Sequence, residues 1–429
     1  MIARALLGAA AVTGGLLTVT PAAQAATGPE CPSTVDCTFT PAAYDWSSKD
    51  HSNPNAYGVY DPANRPADGD SIRYIVIHDT ELSYADTIKA FQDPAHGASA
   101  NYVVRASDGQ ITQMVPNKDV SWGVGNWSMN QHAINIEHEG FAKNGKYPDA
   151  LYESSAKLVR YLAAKYDIPL DRQHIISHED VPGQNDASQP GQHWDPGPYW
   201  NWQHYMSLLG APQRKPNGAP ETGDVVAIDP DFATNTPEIT DSDGKPLPKQ
   251  GANFVYLRTA PDSSAPLLGD PLLHPDGKPG TTKIDDGSDK AVTGHRYVVA
   301  GTSGDWTAIW FGGQQAWFEN PKGRNTVAVR ATTLTAHRDI PVYGLAFPEK
   351  SEYPAEIPFE QGWTPKPLSW SIPKGQSYTE VEPMQAANYY ARYDKANVPA
   401  NHTLVRGSTV YRLVDFNHRY AWVKESDLR

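Results

Sequence analysis

The stretch Arg73-Tyr74-Ile75-Val76-Ile77-His78-Asp79-Thr80 constrains this 429-residue chain more than any other. Its aromatic and β-branched run, bounded by polar residues, predicts a buried central strand. His78 stands where that strand leaves the core, so its imidazole can be held rigidly and still face a cleft. A histidine there has two readings. It hydrogen-bonds locally as a strand-end residue, or it ligates a metal with partners further along the chain.

Partners of the right chemistry exist. His178 lies in Ile175-Ile176-Ser177-His178-Glu179-Asp180, and Asp195 in Gln192-His193-Trp194-Asp195-Pro196-Gly197-Pro198. Two neutral imidazoles and one carboxylate make a three-ligand set. Such a set leaves a fourth position open for water, as a catalytic zinc requires, whereas a structural zinc closes with four ligands. The chain carries 14 histidines, so spacing alone does not single these out.

The first 25 residues read as a signal peptide. Arg4 supplies the positive start, Ala5 to Val19 is apolar and small, and Ala23-Gln24-Ala25 fits a cleavage site. Export is therefore expected, with a secreted or cell-wall-associated product and no membrane partner once the signal is removed. Cys31 and Cys37, the only cysteines, then read as a local disulfide pinning an N-terminal arm. The net charge of -13 argues against nucleic acid as a partner. A mean hydropathy of -0.55 suits a water-facing protein with modest cores.

Taken in order, residues 26–70 are rich in Pro, Ala, Asn, Asp and Ser with aromatic anchors, and predict an extended arm wrapped on the next domain. Residues 71–210 follow an α/β pattern, a mixed sheet flanked by helices. Tyr84 to Phe91 predicts a short helix, and Asn101 to Arg105 with Gln110 to Val115 a hairpin turning at Ser107-Asp108-Gly109. Ala133 to Glu137 alternates as a strand. Pro148 to Tyr166 gives the clearest helix, with Leu151, Leu158, Val159, Leu162 and Ala163 on one face. Tyr199 to Leu209 predicts a closing helix. Residues 211–250 read as a mobile linker. Short aromatic-rich strands with Gly-rich turns then predict two small all-β barrels, over 251–322 and 323–429.

The stretch from about 71 to 210 resembles the zinc-dependent N-acetylmuramoyl-L-alanine amidases of the type-2 family, related to phage T7 lysozyme and to peptidoglycan recognition proteins. The resemblance rests on YIVIHDTE at 74–81, SANYVVRASDGQITQMVP at 99–116, INIEHEGF at 134–141, and SHED followed by WDPGP. It implies a zinc cofactor, peptidoglycan as substrate, and His78, His178 and Asp195 as metal ligands. It implies Glu137 as the catalytic acid/base, with His193 and Tyr102 as candidate catalytic groups that stabilise charge. Trp122 and Asn126, in and beside the Trp122-Gly123-Val124-Gly125 segment, are the implied substrate contacts, although relatives carry a histidine in that segment.

Two further departures stand out. Asp195 follows His178 at a longer separation than in compact relatives, as if Gln184 to Gly191 were an inserted loop. That loop brings Asp186 as a rival carboxylate, and His193 is a rival ligand. The C-terminal segments VYLRTAP, GDWTAIWF and AWVKESDL resemble bacterial Src-homology-3-like domains, which often bind the wall. The expectation is a monomeric, exported hydrolase that cuts the bond between N-acetylmuramic acid and L-alanine. A non-catalytic peptidoglycan-binding protein and a zinc peptidase acting on the stem peptide are the alternatives.

Overall fold

A computed structural model describes residues 28–49, 57–67, 70–212, 218–357, 359–391 and 402–428. The expected signal peptide lies outside the described residues. The arm carries strand β1 (Cys37–Phe39) and strand β2 (Tyr60–Asp61). After it come β3 (Tyr74–Asp79), helix α1 (Tyr84–Phe91), β4 (Tyr102–Val104), β5 (Ile111–Gln113), β6 (Val120–Ser121) and helix α2 (Trp127–Asn130). Strand β7 (Ala133–His138), helix α3 (Asp149–Tyr166), β8 (Ile175–Ser177) and helix α4 (Trp202–Leu208) complete the unit.

The central sheet has the order β1-β5-β4-β7-β3-β8. Strands β4, β7, β3 and β8 run parallel, and β4 and β5 form the expected antiparallel hairpin. Gly109 closes that hairpin at φ +73, where a Cβ would sit 2.5 Å from the Ala150 carbonyl of α3. No other residue type is comfortable in that conformation and space. Strand β1 adds to the sheet edge beside β5, Cys31 is bonded to Cys37, and the buried Arg65 guanidinium donates to the carbonyls of Asn117, Asp119, Asn130, Gln131 and Ala133.

The period-two alternation of β3 and β7 separates two cores. Ile75, Ile77, Ile134 and Ile136 face α3 and meet Leu151, Leu158, Val159 and Leu162. Tyr74 and Val76 of β3, with Ile176 of β8, face the other way. That side is covered by Tyr343, Leu413, Tyr420 and Trp422 from the C-terminal region. Helix α4 starts later than expected, because Tyr199 and Trp200 are buried in the α3 core and Asn201 caps the helix by accepting from the His204 N–H.

The linker and barrel expectations need correction. Within 211–250, Val225–Ile228 (β9) sits between Arg296–Ser303 and Thr326–Ala328 in a five-stranded sheet. Val226 and Ile228 are fully buried there, so this run is core. The expected boundary near 322 is crossed by the same sheet. Phe254–Tyr256 and Lys290–Val292 pair by themselves, and the other strands form a six-stranded sheet in which the long strands Ser377–Ala391 and His402–Asp415 pair antiparallel. A five-stranded sheet, a six-stranded sheet and a two-stranded ribbon therefore stand where two small barrels were expected. The short strands and turns looked barrel-like, but pairing across the expected boundary was invisible to local pattern.

Candidate metal centre

His78 and Glu137 are register partners on adjacent parallel strands, so their side chains share one face. His178 follows β8 directly, in a short 3-10 turn running to Asp180. All three therefore sit at the carboxyl ends of parallel strands, where open α/β sheets form their binding crevices. Asp195 comes from the loop before α4. One ligand atom each from His78, His178 and Asp195 lie within 4.8 Å of one another, and all three residues are buried. Among the described residues this is the one such group of three.

The donor set fits a divalent cation. Nδ1 of His78 lies 3.1 Å from one Asp195 oxygen, and Nδ1 of His178 lies 3.1 Å from the other. Yet both oxygens are buried without an aligned hydrogen-bond donor. Lone pairs converge on a common point instead of being satisfied by each other. On the far side of its ring, His78 Nε2 is 3.0 Å from Asn135 Oδ1. With Nε2–H donating there, Nδ1 presents a lone pair to the centre, the orienting partner a metal-bound imidazole needs.

Burial and neighbouring charge pull the titratable groups apart. Burial pushes His178 down to about 4, against the attraction of Asp195. Burial works against the charge on His78 as well, but the Asp195 and Glu137 carboxylates outweigh it and raise that group to about 9. Asp195 is buried but held well below the usual carboxylate range by His178 and its other histidine neighbours. Burial lifts Glu137 to about 7, opposed by His78, and its Oε2 is buried without a partner. Strongly shifted groups with distinct causes in one cleft mark a functional site.

The other expected residues separate. The His193 side chain is mostly exposed, stacks on His178 with ring centres 4.9 Å apart, and stands 3.5 Å from Asp195. It borders the site but is not in the ligand group. Asp186 is drawn away, accepting from the backbone N–H and hydroxyl of Ser369. Tyr102 pairs in register with Ile136 and so points to the opposite face, where its hydroxyl donates to the Glu30 carbonyl. The catalytic expectation for Tyr102 does not survive this placement. Asn126 is fully buried, caps α2, and donates to the carbonyls of Pro182 and Gly344. It joins two parts of the fold and does not reach a cleft. Trp122 borders a groove, with its Nε1 donating to Asp61 at 2.7 Å. His138 lies on the α3 side against Ser155, the structural placement that strand alternation implies.

Several supporting residues escaped sequence reasoning. Arg419, from the C-terminal sheet, donates to the carbonyls of Val181, Gln192 and His193, and so clasps both segments that carry His178 and Asp195. Tyr147 donates to Asp79 and lies 3.0 Å from the Pro196 carbonyl, tying β3 to the Asp195 loop. His295 bridges Asp180 and Asp415, at 2.7 Å on each side. Only Asn135 carried a usable signal, since alternation along β7 puts it on the Glu137 face.

Comparison with known proteins bears on this centre. The family model described as N-acetylmuramoyl-L-alanine amidase matches residues 68–198. N-acetylmuramoyl-L-alanine amidase A of Achromobacter lyticus is 34% identical over 146 residues, spanning 32% of this chain and 81% of that protein. The 1,6-anhydro-N-acetylmuramyl-L-alanine amidase AmpD of Haemophilus influenzae is 32% identical over 108 residues, spanning 24% of this chain and 54% of that one. A crystal structure of a selenomethionine AmpD derivative covers 41% of this chain and 94% of its own at 23% identity, with a TM-score of 0.29.

Proposed function

Because the chain belongs to the N-acetylmuramoyl-L-alanine amidase family, we infer that its centre hydrolyses the amide between the lactyl group of N-acetylmuramic acid and L-alanine in peptidoglycan, using a zinc ion held by His78, His178 and Asp195. The convergence of these three buried ligands around an unpaired carboxylate carries the reading. A zinc ion bound there supplies Lewis acidity and lowers the pKa of bound water.

The chain's own residues do the rest. Glu137, register partner of His78, faces the centre with an unpartnered oxygen. Its carboxylate takes a proton from the attacking water and delivers it to the departing alanine nitrogen. With its ordinary pKa raised by burial to about 7, it is poised for both transfers near neutrality. Asn135 fixes the His78 ring. His193, whose pKa is raised chiefly by Asp195, donates a hydrogen bond to the oxygen that gains charge as the carbonyl is attacked. We further infer export to the cell wall, which is where this substrate lies.

A non-catalytic wall-binding protein would have no use for the complete ligand set together with Glu137. The test is incubation with peptidoglycan, with and without a chelator, scoring new N-terminal L-alanine. Chelator-sensitive release, lost in Glu137→Ala with metal retained, is the expected result. Cleavage within the stem peptide would replace this reading with a peptidase.

A further inference from the structure

A groove of about 660 Å³ runs between the catalytic unit and the C-terminal sheet, within the size range of small-molecule sites. Its lining includes Trp122 and Trp127 of the catalytic unit and Trp363, Tyr389 and Tyr390 of the C-terminal region. These rings are fixed. The indole N–H of Trp122 donates to Asp61, and that of Trp127 to Asn388 at 2.8 Å. Trp363 stacks on Tyr353 with ring centres 5.4 Å apart and meets Tyr390 edge-on. The same lining carries the polar groups of Gln184, Asn185, Asn388, Glu360 and Lys366. Rigid aromatic rings together with amides, a carboxylate and an ammonium suit a ligand with apolar C–H faces and equatorial hydroxyl and acetamido groups.

Two observations tie the groove to the metal centre. Gly123, next to Trp122, lies so close to Asn135 that a Cβ would stand 2.4 Å from its side chain, and Asn135 holds His78. Gln184 and Asn185 belong to the loop that separates His178 from Asp195, and the next residue, Asp186, pins that loop to Ser369 of the C-terminal sheet. The extra residues thus build a wall that the catalytic unit alone does not have. The charge balance also selects. Asp61 and Glu360 against a single Lys366 offer no field for an anionic stem peptide or wall polymer.

The geometry points to a glycan subsite: the groove between the inserted loop and the C-terminal sheet binds N-acetylated hexosamine units of the strand that carries the muramoyl group being cut. This rests on the amidase reading for its substrate, but its test does not. The full chain carrying Glu137→Gln is titrated with the tetrasaccharide of N-acetylglucosamine and, separately, with free stem peptide. Heat release and tryptophan emission are both followed. Saturable tetrasaccharide binding with a shift in emission is expected, weakened about ten-fold by Trp363→Ala, the loss of one stacked ring. Gln184→Ala, in the loop between His178 and Asp195, weakens it too, and unchanged melting transitions show that both variants fold. Absence of saturable binding, equal binding by both folded variants, or binding of the stem peptide alone overturns the proposal. Tetrasaccharide binding, with no release of L-alanine from peptidoglycan by the wild-type chain, would sink the amidase reading and leave the subsite standing.

Discussion

Replacing His295 by glutamine tests how the catalytic unit is fastened to the sheets behind it. The His295 ring is completely buried, and Asp180 and Asp415 each lie 2.7 Å from one of its nitrogens. Burial opposes charge on this ring, but the two carboxylates raise it to about 9. A folded-state pKa above the unfolded value near 6.5 stabilises fully below pH 6.5, and that stabilisation is lost as pH rises through 9. Each unit is worth about 1.4 kcal/mol, so the ring contributes about 3 kcal/mol at pH 6. The variant loses this and leaves two buried carboxylates to Arg172, Ser177 and Thr379. Breaking a buried ion pair costs about 3–5 kcal/mol. At roughly 2 cal/mol/K per residue over the chain, that is a fall of about 4–6 °C in the melting transition at pH 6. Calorimetry between pH 6 and 9.5 checks it. The wild type should lose stability across that window, and His295→Gln should show a flatter profile. A variant that melts within 1 °C of wild type at pH 6, or keeps the same pH slope, refutes the argument.

Other predictions follow from the site. Arg419→Ala frees the Val181 and Gln192–His193 carbonyls and should weaken zinc binding by about 10–100-fold in chelator competition, the usual effect of losing an outer support. Glu137→Gln should lower turnover by about 10²–10⁴ while zinc content is unchanged. In metal-free protein its raised carboxyl stabilises below pH 4.5 and stops doing so as pH passes about 7, so the same variant should flatten denaturant stability across that interval. Ending the chain at residue 211 uncovers Tyr74, Val76, Ile176 and Val181. At about 1.5–3 kcal/mol for each, that loss rivals the whole stability of a domain, so the truncated chain should aggregate or bind a hydrophobic dye. A monomeric, cooperatively melting fragment would contradict this.

The strands that carry the centre were legible because burial writes itself into short apolar runs. Tyr74 to Ile77 could only be a central strand, and His78 stood at its mouth. Helix α3 was legible from its period. Tyr102 misled because its motif matches the family while its register, set by pairing with Ile136, turns it to the other face. Asn126 misled for a similar reason: sequence proximity to Trp122 says nothing about the carbonyls of Pro182 and Gly344 that capture its amide. Strand β9 was hidden among prolines and glycines because four residues are too few to show alternation. Arg419 and His295 had no local signal at all, since their partners lie far away in the chain.

The sheet that shields Tyr74, Val76 and Ile176 also sets a timetable. A ribosome finishes β8 well before it reaches Tyr343, and it adds Tyr420 and Trp422 later still. At ~5–20 residues per second, the nascent catalytic half waits many seconds with an apolar face uncovered and without Arg419 to draw its ligand loops together. The ligand loops are therefore drawn together only once the strand that carries Tyr420 and Trp422 has joined the fold.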